Sequence, residues 1–404
     1  MSTSPRDRNA RAVANDAAIA SAAVSEVLRV GVDRVSLREV AQRAGLTHGA
    51  TYARYEDVSE LLVDLWQSKL STRAAELLEL STRAVEERSE CALEAFFDRV
   101  RQPHPEDIAM AEILLASRRM PILFEEIEIF LKKNVYPGGG LTEESKSLSV
   151  RTLSLFGLAI RSALEGHYFN DDQKYLEVVQ RVVLAVLTKV PGAHLGSAET
   201  VTDGLSPSSH DVEDVRARLA HATFVVVAKS GYHEATVSRI ARRADCSPGS
   251  IYKIYRSKQD LVLDSFRTIF ETANGPIATG LGLSESGLTL PALVRWSARR
   301  YSFSIEMTIA AAHEDSFRTI VRAHLADPER QMSRLGDLDD VDRAKMSDLV
   351  RSMAALAHGA QWMSAVMPAD TPDFDQFSES FRVALSDEWT STEFSFSGKE
   401  NDPN

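Results

Sequence analysis

Residues 231–261 read GYHEATVSRIARRADCSPGSIYKIYRSKQDL, and residues 31–61 read GVDRVSLREVAQRAGLTHGATYARYEDVSEL. Set 200 positions apart, the two stretches share a glycine at 31/231, alanines at 41/241 and 44/244, and arginine at 43/243. They also share Gly49/Gly249, Tyr52/Tyr252, Tyr55/Tyr255 and Leu61/Leu261, and Asp64/Asp264 lies just beyond. Ser36 stands opposite Thr236 and Val40 opposite Ile240. Two copies are too few for a solenoid, so the pattern points to duplication of a whole protein unit.

Each copy can be read as local physics. A long helix ends at Gly31 or Gly231, where a left-handed C-cap suits glycine. Ser36 or Thr236 then N-caps a short helix, SLREVAQRA or TVSRIARRA, with Glu39 spaced as in a capping box. The alanines are small enough for another helix to cross closely. Gly45 or Asp245 supplies a bend, and Thr47 or Ser247 caps the helix that follows. This is the pattern of a helix-turn-helix. Small residues early in its second helix let backbone and hydroxyls approach base edges, while tyrosine hydroxyls reach phosphate oxygens.

Candidate DNA contacts in the first copy are therefore Ser36, Thr47, His48, Gly49, Thr51, Tyr52 and Tyr55. In the second they are Thr236, Ser247, Pro248, Gly249, Ser250, Tyr252, Lys253, Tyr255 and Lys258. Lys258 falls at the start of the next helix, where the helix terminus already favours anions, so it is expected to clamp a phosphate. The first copy has Val58 there, within an acidic EDVSE. For either copy alone, an αα-hairpin with tyrosines as core filler competes with this reading.

Both segments resemble the N-terminal domain of TetR-family transcriptional regulators. The second copy carries the likeness through Gly231, Thr236, Ile240, Ala241, Ala244, Ser247, Gly249, Tyr252, Tyr255, Lys258 and Leu261. The first carries it through Gly31, Ser36, Val40, Ala41, Ala44, Gly45, Gly49, Tyr52, Tyr55 and Leu61, and departs from it at Val58. The resemblance covers about 60 residues per half. It implies an all-α fold in which a DNA-binding N-terminal domain precedes a helical domain for ligand binding and dimerisation. A tandem chain would mimic the family's dimer internally.

The rest of the chain agrees with an all-α protein in two halves. Leu153, Phe156, Ile160 and Leu164 recur at helical spacing, as do Leu176, Val179, Val183 and Val186. TFVVVAK at 223–229 is β-branched but sits within a helical pattern. A Gly/Pro/Ser/Asp-rich stretch reads as a linker. The layout is a first DNA-binding domain over 10–70, a helical domain over 71–190 and a linker over 191–210. A second DNA-binding domain over 211–270, a helical domain over 271–390 and a disordered tail over 391–404 follow. Helix pairs near 148–188 and 346–388 are expected to pack as a four-helix bundle in place of an intermolecular interface. Further dimerisation stays open.

Charge and composition limit the function. The 404 residues carry a net charge of -12, so any attraction to nucleic acid must be local. Residues 1–66 hold eight Lys/Arg against nine Asp/Glu, whereas 208–267 hold ten against seven. The second unit is the more basic. Two distant cysteines, Cys91 and Cys246, exclude a disulfide framework or a Cys-based zinc site and fit a cytoplasmic protein. No membrane span, catalytic motif, metal-ligand spacing or cofactor motif is present, so neither an enzyme nor a membrane partner is expected. Six of nine methionines fall between 307 and 367. An apolar effector pocket there would use Trp296, Tyr301, Phe303, Met307, His358, Trp362 and Met363; ordinary core competes for the same residues. The leading reading is a ligand-responsive regulator, as a repressor, acting on a double-stranded operator. The alternative is a ligand- or partner-binding helical scaffold with one or both helix-turn-helix units degenerate.

Overall fold

The computed structural model describes residues 5–135, 143–168, 215–277, 282–284, 287–289 and 298–325, with scattered positions between 176 and 184 and between 355 and 366. The expected linker at 191–210 and tail at 391–404 lie outside these. So do Trp296, His358 and most of the second expected bundle pair. The described residues are helical apart from one antiparallel hairpin, β1 (Gly282–Ser284) with β2 (Gly287–Thr289).

The first half begins with α1 (Pro5–Val30), α2 (Leu37–Arg43), α3 (His48–Tyr52) and α4 (Val58–Leu65). A π-helical turn, Trp66–Leu70, carries α4 into α5 (Ser71–Glu87). Then come α6 (Glu90–Arg101), α7 (Pro105–Ala116), α8 (Pro121–Val135) and α9 (Glu143–Tyr168). The second half repeats the opening as α10 (Val215–Glu234), α11 (Val237–Arg243), α12 (Pro248–Tyr252) and α13 (Lys258–Ile277). After the hairpin follow α14 (Ala298–His313) and α15 (Asp315–Leu325).

The β-branched TFVVVAK run lies within α10, because burial of Phe224, Val226 and Val227 outweighs weak helix propensity. Each of the two repeated helical units closes on a matched apolar set. Val27, Val40, Ala41, Tyr55 and Leu61 are buried in the first unit; Val227, Ile240, Ala241, Tyr255 and Leu261 are buried in the second. Burying a valine, leucine or isoleucine side chain contributes about 1.5–3 kcal/mol, which holds helices too short to persist alone.

α7 is buried all round from Asp107 to Ala116 and forms the centre of the first half, with Ile108, Met110, Ile113 and Leu115 in its core. The halves also touch directly. A Cβ placed on Gly157 would lie 2.1 Å from the Gly359 carbonyl oxygen, and one on Gly359 would lie 2.4 Å from the Leu158 nitrogen. Two backbones therefore meet where only glycine fits. Trp362 and Met363 pack in the same apolar cluster as α9 and α7 of the first half.

Candidate nucleic-acid interface

The two helix-turn-helix units are built alike. Gly31 has φ 85° and ψ 154°, and Gly231 has φ 77° and ψ 164°. These differ from the left-handed helical cap the sequence led us to expect. They occupy the extended positive-φ region open essentially only to glycine, so the chain leaves the long helix at a sharp angle. The bend after α2 or α11 follows expectation, with Gly45 at φ 68° and Asp245 at φ 53°.

Capping agrees in most details. Ser36 Oγ accepts from the Glu39 amide and Thr236 Oγ1 from the Arg239 amide, both at 3.2 Å. Only this half of the expected capping box forms at Ser36, since no Glu39 side-chain bond to the cap amide accompanies it. Ser247 Oγ accepts from the Ser250 amide at 3.1 Å. Thr47 stands at the cap of α3 without a side-chain bond.

The tyrosines divide into two roles. Tyr52 and Tyr252 are 50% and 57% exposed and point away from the core. Tyr55 and Tyr255 are buried, and their hydroxyls donate to Asp64 and Asp264 at 2.6 Å each. Burial, reinforced by the bond to Asp64, pushes the Tyr55 phenol upward. The second tyrosine of each pair therefore braces the unit from within. Thr51 is likewise fully buried, as is Ile251 opposite it.

What remains outward is Thr47, His48, Gly49 and Tyr52 on one unit, and Ser247, Pro248, Gly249, Tyr252 and Lys253 on the other. Ser36 and Ser250 are half-buried at the edges of these faces, and Thr236 is exposed. His48 lies against Tyr52, with ring centroids 4.5 Å apart. A Cβ on Gly49 would meet nothing within 4 Å, and one on Gly249 only Ser247 Oγ at 3.7 Å.

Lys258 is placed differently from a free phosphate clamp. Its Nζ donates to the carbonyls of Tyr232 at 3.0 Å and His233 at 3.3 Å, and sits 4.2 Å from the Tyr232 ring centroid. Burial lowers its pKa. The ammonium ties the end of α10 to the start of α13. Sequence spacing alone could not reveal this, because the carbonyls lie 25 and 26 residues upstream.

Of the exposed cations, the sequence reading singles out only Lys253. Arg239, Arg242, Arg243, Lys253 and Arg256 are exposed around α11 and α12, and none forms an ion pair among the described residues. In the first unit Arg43 is paired with Glu26 at 3.2 Å and Arg54 with Asp16 at 2.7 Å, leaving Arg38.

The five expected effector residues that are described fall in two apolar clusters. Tyr301, Phe303 and Met307 belong to the apolar cluster of the second half, whereas Trp362 and Met363 belong to that of the first. All five are buried side chains in packed surroundings. In the first half an enclosed cavity of about 10 Å³ lies beside Leu77, Arg99, Met110 and Ile160, room for about one water. Among the described residues no group of three or more His, Cys, Asp or Glu is arranged to hold a metal ion. No described helix is long and apolar enough to cross a membrane.

Residues 219–264, which span the second unit from α10 into α13, match the family model described as bacterial regulatory proteins, tetR family. A stretch of 50 residues is 34% identical to the fatty acid metabolism regulator protein of Bacillus subtilis (strain 168). It covers 12% of this chain and 26% of that protein, so the match spans about a quarter of the relative's length. Both likenesses are to proteins described as regulators.

Proposed function

We propose that the chain is a transcriptional regulator that presents two non-identical helix-turn-helix units to duplex DNA from one polypeptide. The observation that carries this reading is the pair Gly49 and Gly249. Each sits exposed in a short helix where a Cβ would be accommodated by the chain itself. Glycine in a helix is less stable than alanine by roughly 0.5–1 kcal/mol, so the reason for glycine lies outside the folded chain. A surface that must approach a base edge or phosphate closely supplies that reason.

The layout keeps the two DNA-binding domains at 10–70 and 211–270, each followed by a helical domain. The close glycine crossing at 157/359 supports internal pairing of the helical domains in place of a dimer of chains. No catalytic role is assigned. In the fuller form of the reading, a repressor releases DNA when an apolar effector enters the second half beside Tyr301, Phe303 and Met307. The exposed recognition faces differ, Thr47-His48-Gly49 against Ser247-Pro248-Gly249, so the preferred operator pairs two unlike half-sites.

Gly249→Ala tests the carrying observation. It is expected to raise the melting temperature slightly and to weaken binding to an operator selected from random duplexes. An unchanged affinity removes the support that Gly249 gives. A selection that returns a symmetric palindrome removes the unlike half-sites. A second reading, in which the first unit no longer binds DNA, is favoured by one observation: Arg43 and Arg54 are neutralised within the chain. Selection that returns a single half-site decides for it.

A further inference from the structure

The places where each DNA-binding unit leaves its long helix are held by residues of the opposite half. Beside Gly31, a Cβ would lie 2.7 Å from the His313 ring, at the end of α14. His313 Nε2 lies 2.9 Å from Glu112 Oε2, and Glu112 Oε1 accepts from the Val32 amide at 2.6 Å. Beside Gly231, a Cβ would lie 3.0 Å from Arg119 Nε and 3.1 Å from Glu306 Oε2. Arg119 donates to Glu306 Oε1 at 3.2 Å, and Arg118 joins it at 2.6 Å.

The two arrangements are counterparts. Glu112 on α7 and Glu306 on α14 each meet a basic residue from the other half, seven positions after the partner glutamate: His313 follows Glu306, and Arg119 follows Glu112. Arg119 does more than close one of them. It also pairs with Asp33, two residues past Gly31. One guanidinium thus joins the turn below the first unit to the glycine below the second. Arg34 adds a pair to Glu314 at 3.0 Å on the outer side. Glu306 and Arg119 are buried, and Glu306 Oε2 accepts no hydrogen bond.

We propose that Arg119 and His313 are positioning residues that fix the two DNA-binding units relative to each other, through the turns that follow Gly31 and Gly231. A buried ionic network with one carboxylate oxygen unsatisfied is a poor way to gain stability, and its directional bonds instead select one geometry. Contacts within a single half would anchor a unit equally well; these cross between halves, and Arg119 reaches both turns. Regulation of the DNA-binding surfaces follows, because any event that shifts α7 against α14 changes the spacing of the two units.

The inference rests on the two-unit DNA reading, and its test separates the two. Spin labels at Glu39→Cys and Ser238→Cys, both exposed, in a Cys91→Ser/Cys246→Ser full-length background report the distance between units without DNA. Arg119→Gln and His313→Leu are expected to widen that distance distribution, and His313→Gln, which restores a donor to Glu112, to narrow it again. In unlabelled protein, the first two variants should bind a duplex carrying both half-sites about tenfold more weakly, a coupling of ordinary allosteric size. Their binding to either half-site alone should stay unchanged.

An unaltered distance distribution in variants that melt like the parent overturns the proposal, as does equal weakening on both duplexes. If Arg119→Gln fails to fold, the His313 pair carries the same measurement at the other turn. If the parent chain binds no duplex, the DNA reading falls while the distance measurement still decides whether these residues position the units.

Discussion

The two helix-turn-helix units share a backbone and differ in what they do with their charges. At position 26 the first unit has a buried glutamate that binds both Arg29 and Arg43; 200 residues on, the second has Val226, also buried. Both Arg43 and its counterpart Arg243 are exposed, but Arg43 is tied to α1 whereas Arg243 forms no ion pair among the described residues. Arg54 is held by Asp16, and the second unit has Ile254 and Arg216 at those places. One interior substitution decides whether an arginine on the surface is available to a polyanion. The units show that a conserved outline and a conserved charge field are separate properties.

The largest expected effect sharpens that contrast. Arg242→Ala, Arg243→Ala and Lys253→Ala together should lower the slope of log affinity against log salt by roughly three, if each neutralises one phosphate. Arg38→Ala, an unpaired cation of the first unit among the described residues, should lower it by about one. Equal slopes for the parent and the triple variant would erase the difference between the units.

An exchange at the interior position comes next. Glu26→Val should release Arg43 and steepen the salt dependence by about one phosphate, while Val226→Glu should draw in Arg243 and flatten it by the same amount. Salt titration of each variant on one operator checks both directions. If Glu26→Val leaves the slope unchanged, Arg43 lies off the DNA path and the comparison fails at that position.

Lys258→Ala separates an internal tie from an external clamp. Loss of bonds to the Tyr232 and His233 carbonyls, and of the contact with the Tyr232 ring, should lower stability by about 1–2 kcal/mol. The salt slope should stay where it was. A flattened slope with unchanged melting would return Lys258 to the phosphate backbone.

Much of this was legible in the sequence. The 200-residue repeat marked two stretches whose short helices are built alike, and the bends at Gly45 and Asp245 have positive φ, which glycine takes freely and aspartate tolerates. The capping residues Ser36, Thr236 and Ser247 accept the bonds their positions called for. What spacing could not show is which way a side chain turns. Tyr52 and Tyr55 are three apart on one short helix and its exit, yet one faces solvent and the other meets Asp64 from the next helix. Composition could not show how the methionine-rich stretch packs, for a related reason. Composition groups residues by sequence distance, whereas Met307 and Met363 pack in separate clusters because the halves cross. The lock at Arg119 was invisible, since its partners Asp33 and Glu306 lie 86 positions before it and 187 after it.

The smallest expected effect is a pH response confined to the first unit. The hydrogen bond from Arg29, helped by Arg43 and opposed by burial, holds the Glu26 carboxyl below its ordinary value of 4.5. A carboxyl depressed in the folded state contributes stability that is fully present above its unfolded pKa and fades as pH falls through its folded pKa. The stabilisation from Glu26 is therefore intact at neutral pH and is lost below about pH 4.5. The second unit has Val226 there and no such contribution to lose. Amide exchange measured between pH 6 and pH 3.5, corrected for the intrinsic rate at each pH, should show protection declining in α1 and α2 while α10 and α11 change less. Glu26→Gln should remove the difference. If both units lose protection in parallel and the variant behaves like the parent, the acid response arises from carboxylates elsewhere, and Glu26 shapes the charge of the first unit without setting its stability.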